Sequence, residues 1–163
     1  MNMNFQKLLS QSLGLLMCMS ALSVVAQPLT LKAYEQGDWK KLVESRDTKP
    51  LVVHFWGVTC GPCLTEMSQW GQFLNQGHGQ VLFIQVDDVS KDITRNLIQK
   101  MHIDKAPNYF VRTKFDEFLR YEIDAKWTGE IPYTITIDKN GVQKAYAGNT
   151  NFKKLSAWFK NPI

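Results

Sequence analysis

Two cysteines, Cys60 and Cys63, stand two residues apart directly after an apolar run that carries a histidine, in the stretch VVHFWGVTCGPCLTEM from Val52 to Met67. Such side chains can hold a metal, close a structural disulfide or exchange electrons as a dithiol. A structural zinc site usually needs a second close pair of Cys or His, and His54, His78 and His102 form none. Covalent haem attachment requires histidine directly after the second cysteine, where Leu64 stands. A disulfide that stabilises by restricting the unfolded chain does so through a long closed loop, which this pair does not make. A peroxidatic cysteine is chemically open, but no other residue marks a peroxide site. The redox reading accounts for more of the neighbouring residues.

Those neighbours belong to two elements. Pro50 stops a short preceding helix, and residues 51–56 form the nearly continuous apolar run of a strand buried on both faces. Cys63, Met67, Trp70 and Leu74 recur at helical spacing, so the pair opens a helix that reaches about Gln76 before Gly77-His78-Gly79 breaks it. Cys60 then sits at the helix N-terminus, where unpaired N–H groups and the dipole favour a thiolate. Thiols in such sites have pKa values lowered to ~3.5–7.5. Cys60 is therefore expected to be the nucleophile. Cys63, one turn inside, is better shielded and placed to attack the mixed disulfide. Pro62 falls in the first turn, where its missing N–H costs nothing.

The remaining chain must supply a frame for this strand and helix. Its 163 residues contain no repeat or low-complexity run, and helix-like and strand-like segments alternate as β-α-β-α-β-α-β-α, then a hairpin and a last helix. A weak strand at 29–33 is followed by a helix that Asp38 can cap, carrying Trp39, Leu42 and Val43. Further strands are expected at 81–86, 108–112, 134–137 and 142–147. Helices are expected at 92–101, around Phe115 to Ile123, and through Phe152, Leu155, Trp158 and Phe159. Asn140-Gly141 supplies the positive φ angles of a tight hairpin.

The first 26 residues hold one charged side chain, Lys7, then an uncharged stretch ending in Val24-Val25-Ala26. That order predicts a signal peptide, residues 1–26, with the mature domain at 27–163. The uncharged stretch is near the ~20 residues of a membrane helix, which leaves an uncleaved anchor as the alternative. Met17, not a small residue, precedes Cys18, against a lipoprotein. Cleavage would leave Cys60 and Cys63 as the mature chain's cysteines. The net charge of +4 comes from scattered residues without a like-charge block, so the basic excess is read as a solvated surface and not a nucleic-acid or lipid patch.

At C-G-P-C and at Glu130-Ile131-Pro132-Tyr133-Thr134 the sequence resembles the thioredoxin superfamily. The extracytoplasmic TlpA-like branch is closer still. Cys60-Gly61-Pro62-Cys63-Leu64-Thr65-Glu66-Met67 fits its C-x-x-C-x-x-E pattern, and the stretch from Asp87 to Pro132 has room for that branch's extra strand and helix. The resemblance implies an α/β thioredoxin-like fold, a central mixed β-sheet flanked by helices, with a cis-proline at Pro132 facing the cysteines. It also implies that backbone beside Pro132, at Ile131, pairs with an extended substrate segment.

Two positions depart from the pattern. Thr59 stands where the family usually has tryptophan, giving a smaller and more polar rim. His54 stands where thioredoxin has a buried acid that helps move the proton of the second cysteine. A neutral imidazole could accept that proton; the other reading is a core histidine hydrogen-bonded to backbone. Glu66, one turn beyond Cys63, either tunes the site or faces water and is taken as solvated; His78 and His102 (in a helix) are read as surface, and Trp56, Trp70 and Trp127 as core or rim.

The expected function is a periplasmic or otherwise extracytoplasmic thiol–disulfide oxidoreductase, a reductase of protein disulfides acting through Cys60 and Cys63 with no cofactor or metal. The resemblance suggests a membrane electron-transfer protein as its reductant. One alternative is an oxidase that donates its disulfide to folding proteins. Another is a Cu(I)-handling protein using both thiolates, for which Met67 is the nearby extra ligand.

Overall fold

The computed structural model describes residues 29–162; the expected signal segment 1–26 and Cys18 lie outside the described residues. Strand β2 (Leu51–Trp56) is buried along its whole length because it lies inside a six-stranded sheet of order β1-β4-β3-β2-β5-β6. It pairs in parallel with β3 (Gln80–Gln85) and antiparallel with β5 (Tyr133–Ile137). On the far side of β3 lie β4 (Asn108–Val111) and β1 (Leu31–Tyr34), both parallel. At the other edge β6 (Gln143–Ala147) pairs antiparallel with β5 and is exposed throughout. This is the mixed sheet that the resemblance implies.

Alternation along β2 divides the core in two. Leu51, Val53 and Phe55 face one cluster with Trp39 and Leu42 of α1 (Asp38–Glu44), and with Leu119 and Ile123 of α4 (Glu117–Ile123). Val52 and Trp56 face the other, with Cys63, Met67, Trp70 and Phe73 of α2 (Gly61–Asn75), Ile98 of α3 (Lys91–Lys100) and Leu155 of α5 (Phe152–Lys160). A side chain of this kind contributes about 1.5–3 kcal/mol when fully buried, so both faces of β2 anchor the site. The stretch from Asp87 to Pro132 contains α3, β4 and α4, with β4 inserted between β3 and β1. Among the described residues no helix is long and apolar enough to cross a membrane.

Three local expectations are corrected. Asp38 does not cap α1: the N-cap is Gly37 in left-handed backbone, and Glu122 of α4 accepts the N–H groups of Gly37 at 2.7 Å and Trp39 at 3.1 Å. The β5–β6 turn is wider than a two-residue hairpin. Asp138 Oδ1 accepts the N–H groups of Asn140 and Val142, and within the turn positive φ falls on Gly141. His102 lies just beyond the C-cap of α3 in left-handed backbone, not in the helix.

Candidate active site

Cys60 is the N-cap of α2, and its Sγ accepts the N–H of Cys63 at 3.1 Å. The two cysteines are joined by a disulfide. Cys60 is half-buried and Cys63 is fully buried, so Cys60 is the more accessible residue of the pair. On reduction the same N–H and the helix N-terminus face Cys60 Sγ and favour its thiolate. Cys60 Sγ lies 3.7 Å from the carbonyl oxygen of Ile131, which precedes Pro132 through a cis bond. Ile131 is half-buried and Pro132 is buried.

Thr59 is exposed at this rim and is held by a residue that the sequence reading passed over. Asp87 Oδ2 accepts both the Thr59 N–H, at 2.7 Å, and the Thr59 hydroxyl, at 2.8 Å. Gly57 makes the approach possible: a Cβ there would stand 2.1 Å from Asp87 Oδ1 and 2.8 Å from Ile131 Cδ1. The available signal was position. Asp87 follows the C-terminal end of the strand beside β2, and sites gather beyond the carboxyl ends of parallel strands.

His54 of β2 and Glu66 of α2 come together between the sheet and the helix. Both are buried, at 0% and 1% exposure, which overturns the solvated reading of Glu66. Glu66 is three residues beyond Cys63, hence on the same helix face, and that face is turned to the sheet. Its Oε1 is 3.1 Å from His54 Nε2, a contact that lies off the hydrogen-bond direction and becomes an ion pair only when the ring is protonated. Trp70 Nε1 donates to the same oxygen at 3.4 Å, and the Thr150 N–H donates to Oε2 at 2.6 Å. The other ring nitrogen, His54 Nδ1, shares a 2.9 Å hydrogen bond with Thr134 Oγ1, directly across the β2–β5 ladder. His54 thus has side-chain partners where the core reading expected backbone.

Burial holds the His54 pKa below the ordinary imidazole value, with the close contact and charge of Glu66 opposing. The consequence for stability has a definite sign. Below about pH 6.5, the ordinary value, the unfolded chain takes up a proton that the native ring resists, so stability is full above that pH and falls on acidification toward the lower native value. The denaturant midpoint is expected to decline in this window, and His54→Gln to weaken that part of the decline. Identical pH dependence in the two proteins would reject this account of His54.

His78 is half-buried and packs on Phe73 and Phe159, with ring centroids 4.8 and 6.5 Å apart, while His102 is exposed. Trp56, Trp70 and Trp127 are all core residues. Met67 is fully buried in the cluster that contains Cys63. Among the described residues no group of three or more His, Cys, Asp or Glu is arranged to hold a metal ion.

A vicinal dithiol site at a helix N-terminus, beside a cis-proline loop on a mixed α/β sheet, defines a thiol–disulfide oxidoreductase. The Thioredoxin family profile matches residues 30–127, and the chain belongs to that family. Among solved structures it is similar to Mycobacterium tuberculosis dsbF, at 16% identity and TM-score 0.60, over 74% of this chain and 85% of that one. It is also similar to a DsbF homologue from Corynebacterium diphtheriae, at 22% identity and TM-score 0.58, over 74% and 76%. A third is a secreted Mycobacterium tuberculosis disulfide oxidoreductase homologous to E. coli DsbE, at 16% identity and TM-score 0.57, over 72% and 84%. Comparison with curated proteins finds no match.

Proposed function

We propose that this protein is an extracytoplasmic, TlpA-like reductase of protein disulfides. The reduced Cys60 thiolate attacks a substrate disulfide, forming a Cys60–substrate bond and releasing one substrate sulfur as a thiolate. Cys63 then loses its proton and attacks Cys60 Sγ, which forms the Cys60–Cys63 disulfide and releases the second substrate thiolate. Two electrons pass from the dithiol to the substrate. In this reading His54 accepts the Cys63 proton, its ring kept neutral by burial. Ile131 and Pro132 form the edge on which an extended substrate segment lies, and Thr59 forms the rim.

The direction rests on one observation: the Thr59 hydroxyl donates to Asp87 and not to Cys60. A dithiol becomes a strong oxidant when its thiolate is heavily stabilised. Gly61 and Pro62 bring no side-chain donor, Thr59 is committed to a carboxylate, and a neutral His54 brings no positive charge. The Cys63 N–H and the helix end remain as the thiolate's support. Equilibration with defined glutathione buffers is expected to give a potential nearer the ~−270 mV of thioredoxin than the ~−120 mV of the strong oxidant DsbA. A value at the oxidant's end, with rapid oxidation of a reduced unfolded protein, would reject the reductase direction in favour of the oxidase.

The location follows from residues 1–26 read as a signal peptide, with the name of one similar structure, a secreted disulfide oxidoreductase, in keeping with it. Exported protein used for the measurement is expected to have an intact mass that begins at Gln27; a mass retaining residues 1–26 would point to the anchor. Outside the cytoplasm such a reductase must be recharged, and a membrane electron-transfer protein is the proposed donor.

A further inference from the structure

We infer that the proton taken from Cys63 leaves through Thr134 and Thr150 into the groove between β6 and α5, on a route separate from the face that a substrate covers. The inference rests on the proposed role of His54 as the base for Cys63.

The need for a route comes from burial. Cys63 and His54 have 0% exposure. The ring is packed against Trp70 and Phe83, with centroids 4.8 and 5.9 Å away. A protonated His54 left there would remain charged in a fully buried site, with Glu66 as the titratable side chain in contact with it among the described residues. A docked substrate on Cys60 and Ile131 closes the cysteine side. The proton must therefore pass across the ring or wait for product to leave.

Imidazole is suited to passing it across, since one nitrogen can take a proton while the other gives one up. Nε2 faces Glu66 on the helix that bears Cys63, and Nδ1 faces Thr134 Oγ1 at 2.9 Å. Thr134 Oγ1 is 3.3 Å from Thr150 Oγ1, and a hydroxyl can accept one proton while donating its own. Thr134 is buried, Thr150 is half-buried, and both line a groove of about 230 Å³ with Tyr146, Asn149, Asn151 and Lys154. None of Thr59, Cys60, Ile131 or Pro132 lines it. Each step takes one proton in and passes one on: Cys63 to the His54–Glu66 pair, Nδ1–H to Thr134, Thr134 to Thr150, and Thr150 to water. Of the two hydrogen-bonded steps beyond the ring, the 3.3 Å one is the longer and the expected bottleneck.

The test is the resolving step alone: release of thiol from a preformed Cys60 mixed disulfide, followed across pH in H₂O and D₂O. Thr150→Val leaves the His54–Thr134 bond and the Thr150 N–H to Glu66 in place, yet is expected to slow release by about tenfold, a part of the ~10²–10⁴ that positioned proton transfer contributes. Thr134→Val should do the same, with Thr134→Ser restoring the rate and the first attack by Cys60 unchanged in all three. If Thr150→Val resolves at the normal rate and isotope effect while His54→Ala is slow, the relay is wrong and the base assignment survives. If His54→Ala is also normal, the base assignment fails and takes the relay with it. Should Thr134→Val misfold, Thr150→Val at its half-buried position still decides.

Discussion

Cys63→Ala is expected to leave the protein able to attack a substrate disulfide but unable to let go. Cys60 keeps its place as the N-cap of α2 and still accepts the N–H of residue 63, because that contact is to backbone. The first exchange therefore proceeds and yields a Cys60–substrate disulfide. What disappears is the intramolecular thiol. Groups held in such geometry reach effective concentrations of ~10⁵–10⁸ M, against millimolar for an external thiol, so turnover should fall by at least about a thousandfold. Mixed-disulfide adducts should accumulate and be separable by mass. Identification of the captured proteins then names the substrates. Cys60→Ala should give neither turnover nor adduct; if it traps partners while Cys63→Ala does not, the roles of the two sulfurs must be exchanged.

The sequence revealed most about the elements whose local pattern is also their tertiary environment. Residues 51–56 are apolar at nearly every position because both faces of β2 are covered, and the spacing Cys63, Met67, Trp70 records the face α2 turns to the sheet. Cys60 as an N-cap followed from the strand–turn–helix order alone. Glu66 was misread because residue type was weighed above position. It shares the buried face with Cys63 and Trp70, but its partners, His54 from β2 and the Thr150 N–H, are distant in sequence. Asp87 was missed for the same reason, since its bond to Thr59 crosses from one strand end to the next. The cap of α1 is the same case again: Glu122 substitutes for a local side chain from α4.

Glu66→Ala is expected to be the most destabilising substitution near the site that leaves both cysteines intact. The carboxylate accepts the Thr150 N–H at 2.6 Å and the Trp70 indole N–H at 3.4 Å, and lies 3.1 Å from His54 Nε2. Alanine abandons all three in a site with almost no water access. An unsatisfied buried donor costs about 1–3 kcal/mol, and the Thr150 and Trp70 N–H groups both lose their acceptor, so the expected loss is about 2–6 kcal/mol, a large share of the ~5–15 kcal/mol that holds a domain together. Glu66→Gln separates charge from hydrogen bonding. Its amide oxygen can still accept the Thr150 N–H, and its NH₂ can donate to a neutral His54 whose proton sits on Nδ1. That variant should lose only about 1 kcal/mol, the ordinary net worth of one hydrogen bond. Denaturant midpoints at neutral pH compare the three proteins. In a double-mutant cycle, coupling between Glu66→Ala and His54→Ala should fall within the ~0.5–3 kcal/mol typical of contacting residues. A midpoint for Glu66→Ala that matches the parent protein would mean that Glu66 faces water in solution, and the His54–Glu66 pair would then have no part in moving the proton of Cys63.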